Sequence, residues 1–347
     1  MRVPYTHESI RLTGRWDTTD PNAAVTTTTG AYIEFAFEGT TAVACFDVLT
    51  NAHPMVRLWI QIDGGAMAEA PADYFLRVVA PTDGRHVVRI IYKGGTEHDR
   101  RWYKPLTGKV TFLGVQTEKP VAIGKDDRKI IEFVGDSITE GVLIDMDYDE
   151  GLASHEKMCY IDALNRVYYD DACATYAWLT AEALDLRPIV MGYGAVGTTR
   201  VGQGYVPVAQ EAYPYNFDGS PVTRPQPDYI VINHGANDRG KPAEQYLAGY
   251  EKLLDIVLAM NPNAKVVALS AFCGAHHEEL GAFIAAYNEK HAANVAFIDT
   301  NGWISPEPLH PLRDGHRTVA EKLVPILKDL LFFEKDKESK RKRFLFF

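Results

Sequence analysis

Nowhere do the 347 residues contain the run of about 18 apolar residues that a membrane-spanning helix needs, and residues 1–20 carry no apolar stretch of secretory-signal type. No helical anchor is expected, and the expectation is a soluble chain with no membrane partner, cytoplasmic by default and secreted if a leader has been removed. Cysteine is scarce. Cys45, Cys159, Cys173 and Cys273 show neither metal-type spacing nor the density of a disulfide framework, and their apolar or small neighbours suggest buried free thiols. Basic charge is also in short supply: a formal net charge of −10 argues against a nucleic-acid partner. The one basic run, in "KDKESKRKRFLFF", is expected to form a solvated C-terminal tail over 335–347. No G-x-S-x-G occurs, which removes the nucleophile elbow of the α/β-hydrolases. A P-loop is missing too, and the glycines of "GYGAVG" stand at the wrong offsets for a dinucleotide loop.

What the chain does contain changes character part-way along. Its length exceeds what one hydrophobic core usually serves, so two domains are expected. The first part is a series of short runs, "AYIEFAFEG", "TAVACFDVL", "VRLWIQIDGG", "DYFLRVVAP", "HVVRIIYKGG" and "GKVTFLGVQ", divided by turn residues. This pattern predicts a β-sandwich or jelly roll over 1–120. A polar, Pro- and Gly-bearing connector follows near residues 116–129. Thereafter apolar runs ("KIIEFVG", "RPIVMGYG", "DYIVINHG", "AKVVALSAF", "NVAFIDT") alternate with amphipathic segments, which predicts a flavodoxin-like, three-layer α/β domain over 125–334. Working groups in such sheets lie at the carboxyl ends of the strands.

Those ends carry four blocks: Gly135-Asp136-Ser137, "GYGAVGTTR", "HGANDR" and "EPLHPLRDGH". Together they offer a hydroxyl, exposed glycine amides, a side-chain amide and an imidazole three residues after a carboxylate, which is the set that acyl transfer needs. His310, in a loop just before the last helix, is the expected general base, with Glu307 placed to orient its second nitrogen. His316 opens the following helix and reads as structural. Ser137 followed by Glu140 also fits a capping box, the plain alternative to a nucleophile.

With "GDS" after a strand, a glycine in "AVGTT", "GAND" and an acidic-x-x-His pair in this order, the chain resembles the SGNH, or GDSL-type, hydrolase superfamily. The resemblance implies Ser137 as nucleophile, His310 as base and an oxyanion hole formed by Gly197, Asn237 and the Ser137 amide. It gives Asp136 no catalytic role. A jelly-roll-like region ahead of such a domain is similar to carbohydrate esterase family two, which implies removal of acetyl groups from xylan or glucomannan, with no cofactor. The acidic partner in the superfamily is usually Asp where this chain has Glu307. Some relatives use a Ser-His dyad in which a backbone carbonyl orients the imidazole, and both arrangements stay open.

Other features have plainer readings. Asp145, Asp147 and Asp149 with Glu156 imitate a calcium loop, but Gly151 is one position late and no amphipathic helix leads in; a solvated insertion is expected. His276 and His277 with Glu278 and Glu279 suit a helix start better than a metal site, so no metal is expected. Trp303, Tyr193 and Trp102 are candidates for stacking on a sugar ring, against the alternative of interdomain packing. Two rival functions are a lipase or thioesterase of the same superfamily, and a non-catalytic carbohydrate-binding protein.

Overall fold

The computed structural model describes residues 2–146 and 163–344, without the side chains of 163–165 and 333–344. Eleven strands make up the first part: β1 Arg2–Val3, β2 Ile10–Thr13, β3 Ala24–Thr26, β4 Tyr32–Glu38, β5 Thr41–Phe46, β6 Arg57–Ile62, β7 Ala68–Pro71, β8 Phe75–Val79, β9 Arg85–Gly94, β10 Val110–Gln116 and β11 Lys119–Pro120. They form two antiparallel sheets. One has the order β1-β10-β5-β8 with β3 on β10, the other β11-β4-β9-β6-β7 with β2 on β4. Phe35, Phe37, Phe46, Phe112, Val88 and Ile90 fill the space between them, as the alternation within these strands requires. The segment read as a connector still pairs at its start, since β11 adds to β4.

In the second part the strands are β12 Ile130–Gly135, β13 Arg187–Gly192, β14 Tyr215–Phe217, β15 Ser220–Pro221, β16 Tyr229–Asn233, β17 Lys265–Leu269 and β18 Val295–Ile298. The helices are α1 Ser137–Glu140, α2 Tyr176–Ala183, α3 Ala209–Ala212, α4 Ala243–Met260, α5 His277–His291 and α6 Arg313–Phe344. Five strands run parallel in the order β13-β12-β16-β17-β18. Tyr250, Leu253, Leu254 and Val257 of α4 cover one face of this sheet. Tyr176 and Ala177 of α2, with Val319, Leu323 and Leu327 of α6, cover the other. Because β12 has β13 on one side and β16 on the other, the chain reverses direction across the sheet there, and a crevice opens at the carboxyl end of β12.

The two parts share a buried, charged seam. Arg15 donates to Glu132 on β12 (Nε to Oε1, 2.9 Å) and to the Tyr213 carbonyl (2.7 Å), while Arg224 pairs with the same carboxylate. Burial alone would raise the pKa of Glu132, but Arg15 and Arg224 outweigh it and hold it at about 2. The last five residues of β9 are buried on both faces, and the chain enters this seam at Lys93, which donates to the Asp170 carbonyl at 2.9 Å. Among the described residues no helix is long and apolar enough to cross a membrane. The backbone of α6 continues to Phe344, into the segment read as a tail, whose side chains lie outside the described set. Cys159 and most of the calcium-like stretch also lie outside it; its first member, Asp145, binds Arg313.

Candidate active site

A side chain at Gly135 would place its Cβ 2.1 Å from Thr139 Oγ1 and 2.8 Å from the Asn233 carbonyl. The glycine therefore lets the chain turn sharply from β12 into α1. Asp136 is the cap of that helix, its Oδ1 accepting from Ile138 N at 3.0 Å. The capping-box alternative is thereby corrected: Ser137 is the first helical residue, and Glu140, fully buried, pairs with Arg101 of the β-sandwich part and not with the cap. Burial and the nearby Asp238 push the pKa of Asp136 up to about 7.

The loop before α6 brings His310 back to this turn, and the Ser137 hydroxyl lies 2.8 Å from His310 Nε2. Burial lowers the pKa of His310 to about 4; Glu97 opposes that fall, while Arg166 and Arg239 add to it. At neutral pH the ring is uncharged, and in the tautomer protonated at Nδ1 its Nε2 accepts a hydrogen bond from the Ser137 hydroxyl. That Nδ1 is buried and has no hydrogen-bond partner among the described residues.

Glu307 does not fill the gap. Its backbone is tied into a local turn, with Ser305 Oγ donating to the Glu307 carbonyl at 2.6 Å and accepting from Glu307 N at 3.2 Å, and the residue is exposed. Among the described residues neither the expected carboxylate nor a carbonyl in its place bonds the imidazole. His316, by contrast, is packed where a structural residue belongs: its Nδ1 accepts from Tyr176 N at 3.1 Å and its ring stacks on Tyr176.

The three expected oxyanion donors are in different states. The Ser137 amide has no partner among the described residues. Asn237 Nδ2 bridges the blocks, donating to Asp136 Oδ2 (3.3 Å) and the Val196 carbonyl (3.1 Å). Gly197 requires correction, because its N–H donates to the Arg200 carbonyl at 2.9 Å and is not free for an oxyanion in this state. A glycine is needed at that place for another reason. The buried Asp238 carboxylate would sit 2.7 Å from a Cβ at residue 197, and it accepts from the amides of Thr198 and Thr199 at 3.1 and 2.8 Å.

Two of the three aromatic candidates are withdrawn from substrate contact. Tyr193 is 1% and Trp102 4% exposed; they meet edge to face, and the Tyr193 hydroxyl is held by Thr27 and the Asn216 carbonyl. Trp303 remains half-buried, with its carbonyl bound by Lys322. Exposed aromatic side chains include Tyr103 and Tyr205, in a cleft of about 600 Å³ that also includes His98, Gln203 and Glu211 and whose lining contains neither Ser137 nor His310. The Gly202–Val206 loop of that cleft is fastened to the glycine block by the Gln203 N–H, which donates to the Gly194 carbonyl at 2.9 Å.

Sequence reading also missed four charged residues around the site, in the pairs Glu97–Arg166 and Arg101–Glu140. Glu97 and Arg101 were signalled only by the charge density of "TEHDRR", Glu140 was read as a capping residue, and Arg166 carried no signal. Of the sequence's metal candidates, His276 stacks on Tyr246 and His277 approaches Asp299, and no cluster of three ligating side chains is found among the described residues.

A hydroxyl hydrogen-bonded to a neutral, buried imidazole, at the carboxyl end of a central parallel strand, defines a site of the serine-hydrolase class. The chain belongs to the GDSL-like lipase/acylhydrolase family, which it matches over residues 133–318. It is 24% identical, over 93% of its length, to the cellulase/esterase CelE of Acetivibrio thermocellus, but spans only 39% of that protein. Its whole fold is shared with solved structures. A family two carbohydrate esterase from Clostridium thermocellum, in complex with cellohexaose, superposes with a TM-score of 0.75 at 21% identity, covering 93% of this chain and 99% of that one. The acetyl xylan esterase Est2A of Butyrivibrio proteoclasticus gives 0.74 at 19% identity, covering 94% and 96%.

Proposed function

We propose that this protein is a serine esterase that removes acetyl groups from carbohydrate through an acetyl-enzyme. The observation that carries the reading is the 2.8 Å contact between Ser137 Oγ and His310 Nε2. In this mechanism His310 takes the proton of Ser137 as the oxygen attacks the acetyl carbonyl, and then returns it to the departing sugar hydroxyl. The Ser137 amide and Asn237 Nδ2 hold the oxyanion, Asn237 exchanging its long 3.3 Å bond to Asp136 for the substrate oxygen. Water activated by the same imidazole releases acetate.

The carbohydrate part of the proposal draws on the esterases that share the fold and on the cleft at Tyr103 and Tyr205, where a sugar ring finds exposed aromatic faces edged by hydrogen-bonding side chains. The test is acetate release from acetylated xylan and glucomannan oligosaccharides, with wild type beside Ser137→Ala. Release by wild type alone supports the reading. Release by neither folded protein refutes the substrate class and favours a non-catalytic carbohydrate-binding role.

A further inference from the structure

A single turn of helix is too short to hold itself in place, and α1, the turn that begins with Ser137, is four residues long. Its placement must come from outside. The last residue of the turn, Glu140, stands three positions after Ser137, where side chains of a helix are neighbours. Both oxygens of its carboxylate accept from the guanidinium of Arg101, Nη1 on Oε1 and Nη2 on Oε2, the second at 3.3 Å, and both side chains are 1% exposed. The Glu140 carbonyl is engaged too, by the Thr29 hydroxyl at 3.0 Å. Arg101 and Thr29 belong to the β-sandwich part, in the connections after β9 and before β4. The hold is itself fixed, since Arg101 N donates to the Gly204 carbonyl at 3.1 Å and its guanidinium lies over the Tyr193 ring, 5.2 Å from Cζ to centroid. Gly192, at the end of β13, closes on the same turn: a Cβ there would come 2.6 Å from Glu140 N.

We propose that Arg101 and Glu140 are positioning residues, through which the β-sandwich part sets the place of Ser137 opposite His310. The inference rests on the proposed esterase mechanism and gives the β-sandwich a part in the chemical step. Ser137 and His310 are 173 residues apart in the chain, so their 2.8 Å contact depends on how α1 is seated. A misplacement of about 1 Å can cost about 100-fold in rate.

The variant that separates positioning from stability is Arg101→Met combined with Glu140→Met. It removes both charges and leaves buried side chains of similar volume, an exchange that proteins often tolerate without loss of stability. This paired variant and Arg101→Lys are compared with wild type by urea unfolding, by kcat and KM on 4-nitrophenyl acetate, and by crystal structure. The paired variant is expected to keep wild-type stability, to lose about 10–100-fold in kcat with KM little changed, and to show Ser137 Oγ moved out of hydrogen-bond distance of His310 Nε2. Arg101→Lys keeps the charge without the two-pronged geometry, so its kcat is expected to lie between, about threefold or more below wild type. A folded paired variant with wild-type kcat, or with the 2.8 Å contact preserved in its crystal structure, overturns the inference. Should that variant fail to fold, Arg101→Lys decides, and an unchanged kcat with Ser137 unmoved overturns it. A displaced Ser137 in a protein whose wild type shows no Ser137-dependent turnover leaves the positioning standing and removes the esterase reading.

Discussion

Replacing Glu132 by Gln tests the seam that holds the two parts of the chain in register behind the nucleophile. The Glu132 carboxylate is 0% exposed and accepts from Arg15 Nε at 2.9 Å, Arg224 Nε at 2.8 Å and the Tyr213 hydroxyl at 2.9 Å. The amide would leave two buried guanidiniums without a counter-charge, a change that costs about 3–5 kcal/mol when one member of a buried ionic group is removed. Linkage gives an independent figure. The folded pKa of about 2 lies below the unfolded value of about 4.3, so the carboxylate contributes stability that is fully present above the unfolded value and is lost as pH falls through the folded one. Roughly 2 units correspond to roughly 3 kcal/mol. The assay is urea unfolding followed by circular dichroism at neutral pH and at intervals down to pH about 2. Glu132→Gln is expected to lose about 3 kcal/mol at neutral pH and to lack this carboxylate's share of the acid destabilisation. A variant within about 1 kcal/mol of wild type at neutral pH, with an unchanged acid limb, would refute the reasoning.

Four further outcomes are expected. Glu307→Gln should change kcat/KM by less than about threefold, because the exposed carboxylate acts on no group of the site; a loss of about 100-fold in steady-state assays would restore the triad. Asn237→Ala should lower kcat by about 10²–10³-fold, the usual loss for one oxyanion donor, and full activity would remove it from the mechanism. The activity of wild type should persist well below neutrality, since His310 is neutral above its pKa of about 4 and base competence is lost only as pH falls through that value. A kcat/KM profile already falling through pH about 6.5, the midpoint of an unperturbed imidazole, would contradict the burial argument. Gly194→Ala should destabilise the fold and reduce activity together, given the 2.0 Å approach to Glu97, and unaltered thermal unfolding would show that the contact relaxes freely.

Strands β12, β13, β16, β17 and β18 were legible in the sequence because each is a short apolar run of a parallel sheet, although the edge strand β18 is half-buried at its middle, and Ser137 and His310 were legible because the ends of such strands are few. Short strands such as β1 and β11, of two residues each, carry no periodicity and were not. The aromatic candidates failed for a different reason. Tyr193 lies in the glycine block, where a substrate contact is expected, and Trp102 in "RRWYKP", yet both are buried in one core, and residue type alone does not distinguish the two fates. Glu132 and Glu97 were illegible because their partners are distant in the chain, Arg15 being 117 residues from Glu132 and Arg166 being 69 from Glu97. Gly197 shows that a motif can locate a residue and still leave open what its amide does: the glycine makes room for Asp238, while its N–H is engaged by Arg200.

The central claim is that Ser137 carries the acyl group with His310 as its base. Its most direct measurement is intact-protein and peptide mass spectrometry after rapid acid quench of the enzyme mixed with an excess of acetylated xylo-oligosaccharide. The account predicts one added acetyl group on the peptide containing Ser137, its absence in Ser137→Ala, and slow or no acetylation in His310→Ala. Acetate released at the wild-type rate with no acetyl group found on Ser137, or equally by Ser137→Ala, would contradict it.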